Sequence, residues 1–317
     1  MKKILILGAG GQLGKELHEL AKLTTEIDVV AYDRQALDIT DVDAVFRVVK
    51  SENPDCVINA AAYTAVDKAE SDSENAFLIN ETGARNVAEA CQAESVRLIH
   101  VSTDYVFNGQ KDSPYNEKDV VDPQNVYGLS KYKGEQAIRE VMPNHIILRV
   151  SWVFGLYGNN FVKSIIRLAR ERTELSIVAD QLGCPTSTVN IASVILQIVP
   201  QICDESFKVK KFGTYHYCDM PETTWFGFAS AIVEAVRAVE ARAAEAGAVE
   251  TGKIEVSQPI SVKQIIPIMT REYPTPAKRP ENSRMDTALI EKVFGIKRAQ
   301  WRPALDKLIQ QIVNNQL

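Results

Sequence analysis

MKKILILGAGGQLGKEL (Met1–Leu17) decides how this chain begins to fold. Ile4 to Leu7 form a short unbroken apolar run, the pattern of a buried strand, and the run stops at Gly8. Glycines then recur as Gly8-x-x-Gly11-x-x-Gly14, straight into a helix-like segment. In that setting they allow a tight turn and close backbone approach to a pyrophosphate, with the amides of Gln12 and Leu13 at the helix start facing the anion. A glycine trio alone is a weak signal. Its place between an N-terminal strand and a helix is what strengthens it.

Working outward, short apolar runs recur at Val29 to Tyr32, Cys56 to Ala60, Leu98 to Val101 and Ile146 to Val150, with helix-like segments between them. Alternating β and α elements imply a parallel sheet. The second run ends at Tyr32-Asp33-Arg34, which places Asp33 about 20 residues beyond the glycines, where a carboxylate binds the ribose hydroxyls of an adenosine. Arg34 can instead receive a 2′-phosphate, so NADH and NADPH both stay open. Asp38 and Ile39 follow at a distance suited to an adenine, although a lone Asp before a helix is commonly just a cap. The third run leads into Asn59-Ala60-Ala61-Ala62-Tyr63-Thr64, where Ala62, Tyr63 and Thr64 can let a cofactor lie against the backbone; tight sheet packing accounts for the small residues equally well.

The fourth run ends in Ser102-Thr103-Asp104-Tyr105-Val106-Phe107, delivering hydroxyls to the carboxyl edge of the sheet, where open α/β folds bind ligands. Thr103 is therefore a candidate to hydrogen-bond a substrate carbonyl, against the plainer reading of a capping hydroxyl. The next helix is expected to start with Asp122 as N-cap and Pro123 in its first turn, and to end before Pro143. Tyr127 and Lys131 then stand four residues apart on one face of that helix. A neighbouring ammonium favours the phenolate and should draw the Tyr127 pKa down toward physiological pH, making a proton donor. A bare Tyr-x-x-x-Lys arises by chance in roughly every second chain of this composition, so its weight comes from the glycine loop and Ser-Thr-Asp that precede it.

Past Trp152 the pattern becomes less regular: a helix near Phe161 to Arg172, a strand near Ser176 to Asp180, a Gly183-Cys184-Pro185 turn and a helix from about Val189. The expected organisation is a nucleotide-binding domain at residues 1–151, with a returning segment near 188–212, and a smaller lobe at 152–187 and 213–317. Ala231 to Ala246 reads as one exposed amphipathic helix, and Tyr273 to Pro280 (YPTPAKRP) as an ordered loop. The 317 residues are 45% hydrophobic and 24% charged, ordinary globular composition, and the formal charge of −5 offers no basic footprint for nucleic acid or a membrane surface. Five scattered cysteines without Cys-x-x-C spacing suit free thiols in a reducing compartment. Met1-Lys2-Lys3 and the apolar run imitate a signal peptide, but the run breaks at Gly8 and Lys15-Glu16 follow, so a cytoplasmic location is expected.

In their order, the glycine loop, Thr103 and Tyr127-x-x-x-Lys131 resemble the extended short-chain dehydrogenase/reductase family. The runs Asn59-Ala-Ala-Ala62, Thr64-Ala-Val-Asp-Lys-Ala-Glu70, Ser102 to Phe107, Asn125-Val-Tyr-Gly128, Ser151-Trp-Val153, Gly158-Asn-Asn-Phe161, Tyr273-Pro-Thr-Pro-Ala277, Arg279-Pro280 and Asn282-Ser-Arg284 narrow this to a resemblance to the dTDP-4-dehydrorhamnose reductase family over nearly the whole chain. The C-terminal runs are the specific ones. The resemblance implies an α/β fold, a Rossmann-type doubly wound parallel sheet with a smaller C-terminal α/β substrate-binding lobe. It also implies NAD(P)H-dependent reduction of the C4 ketone of a dTDP-4-keto-6-deoxyhexose. By resemblance Tyr127 donates the proton, Thr103 shares a hydrogen bond and Lys131 holds the nicotinamide ribose. Asp104 and Trp152 contact the sugar, Val66 and Asp67 border the same pocket, and Arg279 pairs with the diphosphate.

Some members of this family are similar to one another in a magnesium-bridged dimer built on several carboxylates. Glu16 matches one such position, but Val189 and Ser193 stand at the other two and cannot supply the anionic oxygens magnesium prefers, so no bridging metal and a monomer are expected. A sugar-nucleotide dehydratase would need Asp then Glu after the Thr; here Asp104 is followed by Tyr105. An epimerase on the same scaffold remains open. So does a non-catalytic nucleotide-binding subunit resembling the regulatory β subunit of methionine adenosyltransferase.

Overall fold

The computed structural model describes residues 1–245 and 259–316, with the backbone alone for 314–316. Strand β1 (Lys2–Leu7) lies second from one edge of a six-stranded parallel sheet. It pairs on one side with β2 (Ile27–Tyr32) and on the other with β3 (Cys56–Asn59), followed outward by β4 (Arg97–Thr103) and β5 (His145–Val150). The apolar run that announces β1 splits between two layers. Ile4 and Ile6 face α1 (Gln12–Lys22), while Leu5 and Leu7 face α2 (Val42–Glu52), each in its own buried cluster. Alternate residues point to opposite faces of a strand, so a sheet covered on both sides needs an unbroken apolar run. Since β2 and β3 flank β1, the strand order reverses there and opens a crevice at the carboxyl edge.

Between β3 and β4 the chain forms α3 (Val66–Ala69), α4 (Ser73–Phe77), a π-helical turn at Leu78–Gly83 and α5 (Ala84–Ala93). Helix α6 (Val126–Val141) follows β4 and starts later than the sequence suggests. Its cap is Asn125, whose Oδ1 accepts from the Gly128 amide at 2.8 Å. Asp122 is engaged elsewhere: its amide donates to the Val106 carbonyl and its carboxylate accepts from Asn108. The helix ends before Pro143 as expected, and Tyr127 and Lys131 both lie on it.

After β5 the chain forms β6 (Val153–Phe154), α7 (Phe161–Glu171), β7 (Glu174–Val178), β8 (Leu182–Gly183) and β9 (Thr186–Ser187). Helix α8 (Thr188–Ile202) then returns to pack beside α1. Strand β10 (Gly213–Tyr217) pairs in parallel with β5 and completes the sheet, so the returning segment runs past the expected boundary at residue 212. The smaller lobe adds β11 (Thr223–Thr224), α9 (Trp225–Glu245) and β12 (Gln264–Ile268), which pairs with β7. Helix α10 (Ala288–Phe294) covers β10 with Ile290 and Phe294, back on the large core, and α11 (Trp301–Gln316) closes the chain. A separate apolar cluster, with Ile165, Phe228, Ile232, Trp301 and Leu305 among its members, holds the lobe together.

Helix α9 corrects the expectation of an exposed helix at Ala231 to Ala246. It begins at Trp225, and Ala229, Ala231 and Ala235 are buried because their small side chains let α7 and α11 approach; Ala246 lies outside the described residues. All five cysteines are free. No described helix is long and apolar enough to cross a membrane.

Candidate active site

The glycine turn is built by contact. Gly8 has φ +81°, and a Cβ on it would stand 2.5 Å from the Ala61 amide nitrogen; a Cβ on Gly14 would stand 2.2 Å from the Gly8 carbonyl oxygen. Only side-chain-free residues let β1, the end of β3 and α1 meet this closely. Gly11 caps α1 without any side-chain acceptor, so the first amides of the helix keep free donors where Gln12 and Leu13 line a cavity of about 620 Å³. That cradle of free backbone donors suits an anionic dinucleotide.

Asp33 stands at the end of β2 and lines a smaller cavity of about 380 Å³ with Gly10, Lys15 and Tyr157. Its carboxylate already accepts from the Gln35 and Ala36 amides at 3.0 and 2.9 Å. Arg34 is exposed, 3.8 Å from Asp38. Gly8 and Gly14 build the turn without lining either cavity, and three further expected cofactor residues are not brought to these cavities. Asp38 binds the amide and hydroxyl of Thr40, Ile39 is buried in the core under Gly83, and the Tyr63 hydroxyl donates to Asp72. Ala62 and Thr64, on either side of Tyr63, do line the main cavity.

The far half of that cavity holds Thr103, Asp104, Tyr127, Lys131 and Trp152. Thr103 lines the cavity with the Tyr127 phenol, and its hydroxyl donates to Asp104 Oδ1 at 3.1 Å. Burial, with the nearby Asp104 carboxylate, pushes the Tyr127 pKa up to about 12, opposite to the expected lowering. The reason is where Lys131 points. Its Nζ donates to the Val101 carbonyl at 2.7 Å and lies 3.2 Å from His100 Nε2, rather than at the phenol oxygen. Burial also lowers Lys131 to about 8, against the pull of Glu135. Asp104 is pushed up to about 6 by burial, and its Oδ2 has no protein partner.

Trp152 adopts a left-handed backbone (φ +46°), and Gly183 makes room for its indole, since a Cβ there would fall 2.3 Å from the ring. The ring stacks on Trp225 with centroids 3.5 Å apart and planes within 6°. Val66, at the start of α3, lines the cavity; Asp67 does not. Asp67 grips Arg279 through a two-donor fork at 3.0 and 2.7 Å, so the guanidinium expected to stand free for a diphosphate already has a carboxylate partner. Arg279 lines an adjoining cavity of about 730 Å³ together with Arg172 and Lys278. Tyr105, Phe161 and Trp225 line both cavities and join them.

Trp225 and Phe161 were not identified as site residues from the sequence. Nothing in their spacing marks them, because α7 and α9 meet Trp152 only once the lobe has folded. Glu16 accepts from the Thr188 hydroxyl at 3.1 Å, and Val189 is exposed beside it. Among the described residues no group of three or more His, Cys, Asp or Glu side chains is arranged to hold a metal ion.

A family model described as RmlD substrate binding domain matches residues 1–314. A dTDP-4-dehydrorhamnose reductase of Aggregatibacter actinomycetemcomitans is 42% identical over 308 residues, 97% of this chain and 98% of that protein. The reductase of the same name from Escherichia coli (strain K12) is 36% identical over 98% of this chain and 97% of its own. Among solved structures, a dTDP-4-dehydrorhamnose reductase from Clostridium acetobutylicum superimposes with a TM-score of 0.84 at 36% identity, covering 98% of this chain and 99% of that one. One from Bacillus anthracis, solved in complex with NADP, superimposes with a TM-score of 0.82 at 35% identity over the same shares of the two chains. With the family model matched almost end to end and full-length relatives well above 30% identity, the chain belongs to the dTDP-4-dehydrorhamnose reductase family.

Proposed function

We propose that this protein uses NADPH or NADH to reduce the C4 ketone of dTDP-4-dehydro-6-deoxy-L-hexose (dTDP-4-dehydro-β-L-rhamnose) to dTDP-L-rhamnose, for rhamnose-containing polysaccharide. One observation carries the reading: Thr103 and Tyr127 share a cavity with Lys131, and that cavity opens at one end on the uncapped start of α1 and at the other on the Arg279 cavity. The NADP complex of the Bacillus anthracis relative supports the choice of cofactor.

The bound nicotinamide supplies hydride to the ketone carbon. As negative charge grows on the sugar oxygen, Tyr127 donates its proton there and Thr103 contributes a hydrogen bond. At about 12 the phenol is fully protonated near neutrality, yet it is a stronger acid than the alcohol being formed, so the proton runs downhill. Lys131 holds the nicotinamide ribose, and Asp33 the adenosine ribose. The free Oδ2 of Asp104 accepts from a sugar hydroxyl, and Trp152, backed by Trp225, walls the ring beside Val66. Arg279, oriented by Asp67, joins Arg172 and Lys278 in meeting the diphosphate. Residues 1–151 with 188–217 serve the dinucleotide, and the rest of the chain serves mainly the sugar nucleotide. We further take the enzyme to be a cytoplasmic monomer without nucleic-acid partners; Val189 and Ser193 at the positions where related dimers need carboxylates support the monomer.

The test is direct. Purified protein is mixed with the dTDP-4-keto sugar and either NADPH or NADH, and loss of the reduced-nicotinamide absorbance is followed. Oxidation that requires the sugar supports the reading; no oxidation with either cofactor refutes it.

A further inference from the structure

Lys131 and His100 form a contact that the proton transfer above does not use. Both side chains are about 1% exposed. An ammonium carries three donors and no acceptor, so in the 3.2 Å contact His100 Nε2 must be the acceptor and the ring proton must sit on Nδ1. Nδ1 is buried and has no partner. The Val101 carbonyl takes a second ammonium proton at 2.7 Å. Strand β4 thus fixes two of three donors, and the third is left for the cavity that Lys131 lines.

Packing alone does not call for histidine here. Leu98, two residues earlier on β4, lies in the apolar layer that faces α5 and α6. An apolar side chain at position 100 would bury there without leaving Nδ1 unpaired, and a buried polar group stays unpaired only at a cost. What histidine adds is an acceptor. Burial, and then the Lys131 charge, hold its pKa well below 6.5, so the ring is neutral and Nε2 keeps its lone pair.

We propose that His100 is a positioning residue for Lys131: by accepting one ammonium proton it fixes the rotation of Nζ, aims the remaining N–H at the cofactor ribose and helps keep the amine charged. The proposal rests on the reading of Lys131 as a cofactor ligand. The charged and titratable groups around the pair are few. Glu135 stands one turn along α6 and favours the charged amine; Tyr127, one turn back on the same helix, and Asp104, just after β4, line the same cavity. From β5, Arg149 is committed to Glu135, and His145 weighs only weakly on His100.

The test measures NADPH affinity by fluorescence titration, without sugar, from about pH 6 to about pH 10, for the wild type, Lys131→Ala, His100→Phe and His100→Gln. Phe fills the space with no acceptor, whereas the Gln amide oxygen reaches about as far as Nε2. Losing a hydrogen bond to a charged group predicts that His100→Phe binds about tenfold more weakly at neutral pH. Its loss of affinity with rising pH should also begin about 1 pH unit below the wild type, because the amine gives up its proton sooner. His100→Gln should restore both. Lys131→Ala weakened while His100→Phe matches the wild type overturns the positioning role alone; Phe and Gln behaving alike does the same. Lys131→Ala binding normally overturns the ribose role and this inference with it. Should His100→Phe fail to fold, nitrogen-15 NMR of the wild-type imidazole decides: an Nδ1–H tautomer supports the contact, and an Nε2–H tautomer overturns it.

Discussion

Replacing Glu135 with Gln tests the charge network beneath the active site. Glu135 is 0% exposed and accepts four hydrogen bonds. Oε1 takes Arg149 Nε at 2.8 Å and the Ser102 hydroxyl at 2.6 Å; Oε2 takes Arg149 Nη2 at 2.6 Å and Arg139 at 2.8 Å. Burial pushes its carboxyl up, but Arg149, Arg139 and Ser102 together outweigh burial and hold it at about 2, below the ordinary 4.5. At about 1.4 kcal/mol per pH unit, that gap is worth about 3 kcal/mol of folding free energy. The sign follows from a folded value that is depressed. The contribution is complete above 4.5 and is lost as pH falls through 4.5 toward 2. Glu135→Gln keeps the shape but leaves Arg149 buried without a counter-charge, and should cost about 3–5 kcal/mol at neutral pH. Urea unfolding followed by circular dichroism at pH 7 and at about pH 4 measures this. The variant should lose less stability on acidification than the wild type, and a Glu135→Leu, Arg149→Met double variant should recover much of the loss. A single variant within about 1 kcal/mol of wild type at pH 7 would refute the reasoning.

Three shorter predictions test the site itself. Tyr127→Phe should keep cofactor affinity while losing about 10²–10⁴-fold in kcat, since it deletes only the proton donor; a near-normal kcat places the donor elsewhere. Gly14→Ala must push against the Gly8 carbonyl at 2.2 Å, backbone that cannot swing aside, so NADPH titration should show binding largely abolished, and wild-type affinity would contradict the close-packed turn. Asp67→Asn frees Arg279 from its fork and should raise KM for the sugar nucleotide several-fold with little change in KM for the cofactor, read from steady-state kinetics; equal effects on both would detach Arg279 from the diphosphate.

The amino-acid sequence by itself determined the sheet and its carboxyl edge. Ile4 to Leu7 had to be buried on both faces, three glycines had to make a turn without side chains, and Tyr127 and Lys131 had to share a helix face, because each property depends on residues close together in the chain. The start of α6 was misplaced because Asp122 and Asn125 are both competent caps, and only the Asp122 contacts to Val106 and Asn108 chose between them. Tertiary structure alone decided the electrostatics. Lys131 turns to His100 and Val101 on another element, so burial governs Tyr127 and moves its pKa up rather than down. It likewise paired Asp67 with Arg279 and stacked Trp225 on Trp152, joining segments far apart in the chain. Local spacing fixes which backbone forms; which charges and rings meet is set by the packing of distant elements, and it is there that desolvation and Coulomb forces act.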